Sequence, residues 1–353
     1  MNKIEQQNGT WLFVAPISSL VLTKFVNFEF KVNRVTFVDA SKLPLRRKRL
    51  GFPVPIGEFK RRHPYVFNRF FSGYSTYAVL RQTGHGTEVR EKVLKIVRDE
   101  LSILALSQLG FGRRRHNACP SIAKESASGQ SSFLLINNDN QSWTQPSNLT
   151  GKISELILEG RWKQYQDKYF LSHLLKIIRG EIRVANKWKQ DITNAAILAG
   201  QSQSSSDLPQ AFLWNMIALE LLLTTQGDTY VERLPERAEA FIGWVTNWDD
   251  GDYDLKIRDV YAKRCKFVHD GNRDEITVED VLFSDIILLN VLINIAKHPE
   301  LFGSKEALIA FSNKVQAERV LGINGDMRVK SMVRPKSLEF HRPIYSEEDM
   351  KKI

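Results

Sequence analysis

Hydrophobic positions along this chain change period partway through. Near the start they alternate. Trp11-Leu12-Phe13-Val14, Val26-Asn27-Phe28-Glu29-Phe30-Lys31-Val32 and Val35-Thr36-Phe37-Val38 are rich in β-branched and aromatic residues, a pattern that predicts strands. Trp11 to Leu22 leads into this alternation and reads as a first strand. Pro44, Pro53, Pro55 and Gly57 then break it. From Thr87 to Leu109 the spacing is helical, with Val89, Val93, Ile96, Val97, Leu101, Leu104 and Ala105 on one stripe. Thr87 suits the N-cap, Glu88 and Glu91 suit the positive end of the helix dipole, and Gly110 suits the stop.

Gly112 to Gly151 is polar and Ser/Asn-rich, with a single apolar patch, Phe133-Leu134-Leu135-Ile136, that reads as a strand returning to the N-terminal sheet. Beyond Lys152 the pattern is helical throughout. Tyr169 to Leu198 carries a stripe through Phe170, Leu174, Ile178, Trp188 and Ile192, with a kink expected at Gly180. Gln201 to Asp207 reads as a loop, and Pro209 fits the first turn of the next helix. Ala211 to Leu223 is nearly all apolar and holds one acid, Glu220. Further helices are predicted over Tyr230 to Trp248, over Thr277 to His298 and within Glu300 to Val320. The expected architecture is an α+β N-terminal domain with basic loops over 1–111, a polar linker over 112–151, an all-α helical bundle over 152–320 and a charged tail over 321–353.

The chemistry concentrates in Ile257 to Gly271. Ile257, Val260, Tyr261 and Cys265 recur at helical steps, and Asp270-Gly271 reads as a helix stop. This places Arg264 and His269 in an Arg-x4-His spacing. On a regular helix residues five apart lie about 140° apart, so convergence in one chain requires the last turn to redirect His269. Histidine takes a proton from a ribose 2′-OH near neutral pH. Arginine offers a fixed fork of donors to a phosphate whose charge grows in the transition state. Lys263 and Lys266 flank the arginine and suit neighbouring phosphates or a solvated surface. Glu220, an isolated carboxylate in an apolar helix, needs a partner, and Arg264 is the candidate.

Three features, Ile217-Ala218-Leu219-Glu220-Leu221-Leu222, the Val260-Tyr261-x-x-Arg264 lead-in and Val268-His269-Asp270-Gly271, resemble the Apea-like branch of the HEPN superfamily over about residues 165–300. The resemblance implies a HEPN-like bundle and a metal-independent endoribonuclease whose Arg264 and His269 come together from two protomers. It implies RNA as partner, a homodimer, no cofactor and a role of the bacterial defence or toxin type. The chain departs from many active members at Cys265, where they carry Asn, Asp or His after the arginine. The alternative is a non-catalytic HEPN-like module that binds RNA or protein, or dimerises, with Arg264 and His269 structural.

Composition adds a polyanionic partner. The chain has 353 residues and a formal net charge of +10, with pI near 9.4. Arg46-Arg47-Lys48-Arg49, Lys60-Arg61-Arg62 and Arg113-Arg114-Arg115 form basic clusters. Such clusters suit RNA phosphates, or simply solvated loops. Seven scattered histidines and two distant cysteines, Cys119 and Cys265, match no zinc spacing and predict neither a metal site nor a disulfide framework. Gly84-His85-Gly86 reads as a plain turn, and Asp249-Asp250-Gly251-Asp252 as a loop lacking calcium-loop spacing. Val281 to Ala296 is apolar but carries Asp285, Asn290 and Asn294, which fits a core helix rather than a membrane span. The expected location is the cytoplasm.

Overall fold

The computed structural model describes residues 8–68, 72–111, 119–123, 133–137, 142–145, 155–242 and 252–321. It divides into two compact units. One comprises the described residues of Met1–Leu104 and Asn117–Gln164, the other those of Ala105–His116 and Tyr165–Ile353.

The first unit is built on β1 (Asn8–Ser18). This strand pairs antiparallel with β5 (Thr76–His85) from Asn8↔His85 to Ile17↔Thr76. Its other edge pairs with β6 (Ser121–Ile122) and β7 (Phe133–Asn137). The full order is β3-β4-β5-β1-β7-β8, with β3 (Glu29–Lys31), β4 (Thr36–Asp39) and β8 (Ser142–Gln145) toward the edges. A separate parallel pair joins β2 (Leu20–Leu22) to β9 (Leu156–Leu158). Trp11 through Ile17 are all buried, so β1 is covered on both faces. On one face Leu12, Val14, Val38, Tyr77 and Val79 pack with Leu43, Leu50, Phe52 and Phe59.

Two expectations for this region need correction. The alternation over Val26 to Val32 does not form one strand. Thr23 caps a 3-10 turn over Lys24–Val26, and Asn27 and Phe28 follow at φ 52° and 54°. Two successive left-handed residues turn the chain, so the extended segment starts only at Glu29. The prolines, in turn, do more than break a pattern. Pro44 lies in the first turn of α1 (Leu43–Leu50), and Pro55 immediately precedes α2 (Ile56–Arg62), which is followed by the short α3 (Pro64–Val66). A fixed φ and a missing N–H fit the start of a helix. β5 leads directly into α4 (Gly86–Ala105), whose continuation over Leu106–Phe111 is 3-10 rather than α-helical.

α4 is tied to the β3–β4 turn by one side chain. The Glu100 carboxylate accepts the backbone N–H groups of Asn33, Arg34 and Val35 at 2.9, 2.8 and 2.9 Å. Glu100 is buried, and desolvation raises its pKa against the pull of these three N–H donors and the Arg34 charge.

The second unit is helical. α5 (Gly160–Tyr169) enters it from the first unit and α6 (Leu171–Arg179) follows. Gly180 at φ 78° ends α6, with its N–H on the carbonyls of Ile177 and Lys176. The stripe over Tyr169 to Leu198 is therefore divided between α6 and α7 (Asn186–Ser204), not carried by one kinked helix. α7 also runs through most of the polar segment expected as a loop. α8 (Leu208–Leu223), started by the Asp207 cap and Pro209, packs against α7 and α11 (Val278–Lys297). α9 (Tyr230–Ile242) packs against α12 (Lys305–Val320), and α10 (Asp252–Asp270) contacts α8 and α9.

Thr277 and Asp280 form a reciprocal capping box at the start of α11. Phe241, Phe302 and Phe311 form an aromatic cluster with centroids 5.2 to 6.1 Å apart. Among the described residues no helix is long and apolar enough to cross a membrane. Arg113 to Arg115, residues 249–251 of the acidic segment and the tail beyond Leu321 lie outside the described residues, while Asp252 opens α10.

Replacing Glu100 with Gln turns an acceptor of three N–H groups into a group with one acceptor and two donors. The expected loss is about 2 kcal/mol, the cost of leaving buried donors unmatched. Urea unfolding of wild type and Glu100→Gln measures it, and equal midpoints and slopes would remove Glu100 as the tie between α4 and the turn.

Candidate functional site

α8 presents one acid among apolar residues. Ala211, Phe212, Met216, Ala218, Leu219, Leu222 and Leu223 are buried, which leaves Glu220 at the edge of the packed face. α10 buries Ile257, Val260 and Tyr261, and Arg264 continues that stripe at a three- and four-residue step. The two side chains meet. Arg264 Nη2 donates to Glu220 Oε2 at 2.9 Å. Nε stands 2.9 Å from Oε1 but outside hydrogen-bond alignment, so this second approach is Coulombic. Exposure is 16% for Arg264 and 11% for Glu220, which makes this a largely desolvated pair.

The surroundings are arranged around that pair. Burial raises the Glu220 pKa, opposed by the charge and hydrogen bond of Arg264 and by a hydrogen bond with Tyr261. The Tyr261 phenol is likewise held above its usual value by burial and by the neighbouring Glu220 charge. The guanidinium lies 5.8 Å from the Tyr261 ring centroid, within cation–π range. Cys265 is half-buried, more exposed than its place in the apolar stripe suggests.

His269 is elsewhere. α10 remains helical through Asp270, and Gly271 at φ 69° caps it, with its N–H 3.1 Å from the Phe267 carbonyl. The expected redirection of the last turn does not occur. A regular helix keeps the two residues about 140° apart, with Arg264 turned to Glu220 and His269 exposed to solvent. One chain brings Glu220 and Arg264 together and leaves His269 on another face.

The flanking lysines are engaged. Lys263 Nζ reaches both Asp280 oxygens at 3.1 and 3.0 Å, and Asp259 at 3.1 Å. Burial lowers its pKa, but the two aspartates outweigh this and the net shift is upward. Since Asp280 also closes the α11 capping box, Lys263 ties α10 to the start of α11. Lys266 forms an exposed pair with Glu275 at 2.9 Å. Arg46 to Arg49 and Lys60 to Arg62 belong to the first unit, on α1 and α2.

One feature of the second unit escaped sequence reasoning. Arg237 is only 5% exposed. Its Nη1 donates to Asp228 Oδ2 and the Leu223 carbonyl at 2.6 Å each, and its Nη2 to Asp228 Oδ1 at 3.1 Å. It thereby satisfies a carbonyl at the C-terminus of α8. The available signal was an arginine three residues after Leu234 and four before Phe241, on the buried stripe of α9. Asp228 and Glu220 both line a cleft of about 610 Å³ in this unit, together with Lys187, Tyr230 and Lys305. Among the described residues no group of three His, Cys, Asp or Glu is placed to hold a metal ion.

Comparison with protein-family models, curated proteins and solved structures finds no match to this chain.

Two outcomes follow. Glu220→Ala leaves the Arg264 charge buried without its partner and is expected to cost about 3 kcal/mol, whereas His269→Ala, at an exposed helix end, should stay within about 0.5 kcal/mol of wild type. Urea unfolding of both variants checks this, and similar losses would contradict the placement of the two side chains. The second concerns acid. The Arg237 hydrogen bond, with help from Thr225, lowers the Asp228 pKa from 3.8 to about 2. The folded value lies below the unfolded one, so this contribution is full above about 3.8 and disappears as pH falls toward 2. Stability measured against pH should lose part of its acid limb in Asp228→Asn; an unchanged limb would exclude this pair as its source.

Proposed function

We propose that the helical unit is a metal-independent endoribonuclease of the HEPN type, related to the Apea-like branch, and that it acts as a homodimer. The observation that carries this reading is the fixed arginine of the motif helix. Glu220 takes one edge of the Arg264 guanidinium and orients it, which leaves further N–H donors for a phosphate. Five residues on, His269 is solvent-exposed on the same helix. In this mechanism His269 accepts the ribose 2′-OH proton, O2′ attacks the adjacent phosphorus, and the 5′-oxygen leaves with a proton. The products carry 2′,3′-cyclic phosphate and 5′-OH ends. Arg264 binds the phosphate and offsets the charge that develops on it. Glu220 is a positioning residue.

The chemistry needs a base, an acid and a cation, and a protein can supply all three from side chains. Because Arg264 and His269 point apart within one chain, a second copy completes the site by setting the histidine of one protomer against the arginine of the other. The departing 5′-oxygen takes its proton from that histidine or from water. RNA is the substrate class, the cytoplasm is the location, and a defence or toxin-type effector is the biological role this reading assigns.

The burial of Arg264 also favours a second reading. An arginine held by a carboxylate can serve only to pin α10 to α8, and the unit is then a non-catalytic module for RNA or protein binding. Incubation of total bacterial RNA with wild type and His269→Ala in excess EDTA separates the two. The nuclease reading predicts new 2′,3′-cyclic phosphate ends with wild type only, and at least a ~10²-fold loss in the variant, the usual scale for removing a general base. Intact RNA with both folded proteins would favour the binding module.

A further inference from the structure

The first unit carries most of the chain's excess charge in one short stretch. Residues 42–65 hold eight Lys or Arg and one acid, so +7 of the net +10 falls within 24 residues. The stretch folds as α1, α2 and α3 with their connections. Leu43, Leu50 and Phe59 anchor α1 and α2 in the same apolar cluster as the sheet residues Leu12, Val14, Val38 and Val79. Phe52 and Phe59 link the two helices at 6.4 Å between centroids. The cations therefore ride on a rigid layer.

A basic layer is ordinarily matched by acids. Here Glu29 holds Arg46 and Arg49, and Glu58 holds Arg62. Among the described residues Arg47, Lys48, Lys60 and Arg61 have no carboxylate partner, and Lys48, Lys60 and Arg61 are exposed. Basic residues in a last helical turn favour the negative end of the dipole. Six of the seven cations on these helices stand in last turns, but a helix end carries only about half a negative charge, too little to balance three cations on each helix. Tyr65, 60% exposed on α3, adds a flat aromatic face three residues after the end of α2.

The geometry points to this α1–α2–α3 layer as a sequence-tolerant docking surface for single-stranded RNA. Its arginine forks and lysines neutralise phosphates, and Tyr65 stacks on a base. An anionic membrane would share the charge attraction, but the apolar sides of α1 and α2 are already committed to the core, and only Leu45 offers a large exposed apolar side chain on either helix. The inference rests on RNA being the partner of the helical unit, to which this layer would add affinity from the same chain.

The test uses the full chain carrying His269→Ala, so that binding is read without cleavage. Fluorescence anisotropy with a labelled mixed-sequence RNA of about 20 nucleotides is measured across salt concentrations. The combined Arg47→Ser, Lys48→Ser, Lys60→Ser and Arg61→Ser changes should weaken binding by roughly tenfold or more. They should also lower the salt slope by about 3, at about 0.7 per lost phosphate contact on a single strand. Serine at four exposed cations of the helical unit outside the Glu220 cleft, Lys168, Lys176, Arg183 and Lys314, should change neither. Equal losses in both sets, or no loss in the first, would overturn the proposal. So would tight binding to phosphatidylserine vesicles with no binding to RNA. Layer-dependent RNA binding by a wild type that cleaves no RNA would instead overturn the ribonuclease reading and leave this one standing.

Discussion

The arrangement of the helical unit depends on one largely desolvated ion pair. Glu220 sits in a helix that is otherwise almost wholly apolar, and taking its carboxylate out of water is costly unless a cation meets it. Arg264 is that cation. Its position three and four residues beyond the buried Tyr261 and Val260 of α10 gives the guanidinium its approach to α8. The pair thus does two things at once. It fixes the rotation of α10 against α8, and it holds a guanidinium in a defined orientation with donors to spare. The first is structural, and the second is what the proposed phosphate chemistry would use.

The same rotation governs His269. Once Arg264 faces α8 and the helix stays regular to Asp270, His269 must face away. An unwound last turn would have let a single chain assemble the site. The glycine cap does the opposite, keeping the helix intact to its end and placing the histidine on the surface. For the ribonuclease reading, a second copy is therefore a requirement of helix geometry as much as of family resemblance.

How much was legible depended on whether the determining interactions were local. α11 was read to within a residue at each end, because its capping box and apolar run lie in consecutive sequence. The Glu220–Arg264 pair was also legible, since one acid in an apolar helix demands a cation and the motif helix offered one. β5 was missed because Thr76 to Leu80 are buried at every position and show no alternation. α1 and α2 were hidden by prolines that start helices as readily as they end strands. The Asp228–Arg237 pair joins a loop to α9 and the end of α8, contacts that no local period displays. The basic clusters were visible as charge, but their anchoring to a common apolar cluster appears only in the folded unit.

The account turns on Arg264 and His269 acting from different copies of the chain. The direct measurement mixes Arg264→Ala with His269→Ala, each inactive alone, under conditions where differently tagged copies are shown to exchange, and then assays RNA cleavage in EDTA. The account predicts that the mixture regains cleavage, because a mixed dimer contributes the histidine from one copy and the arginine from the other. A mixture that contains mixed dimers and stays inactive, beside an active wild type, would contradict it.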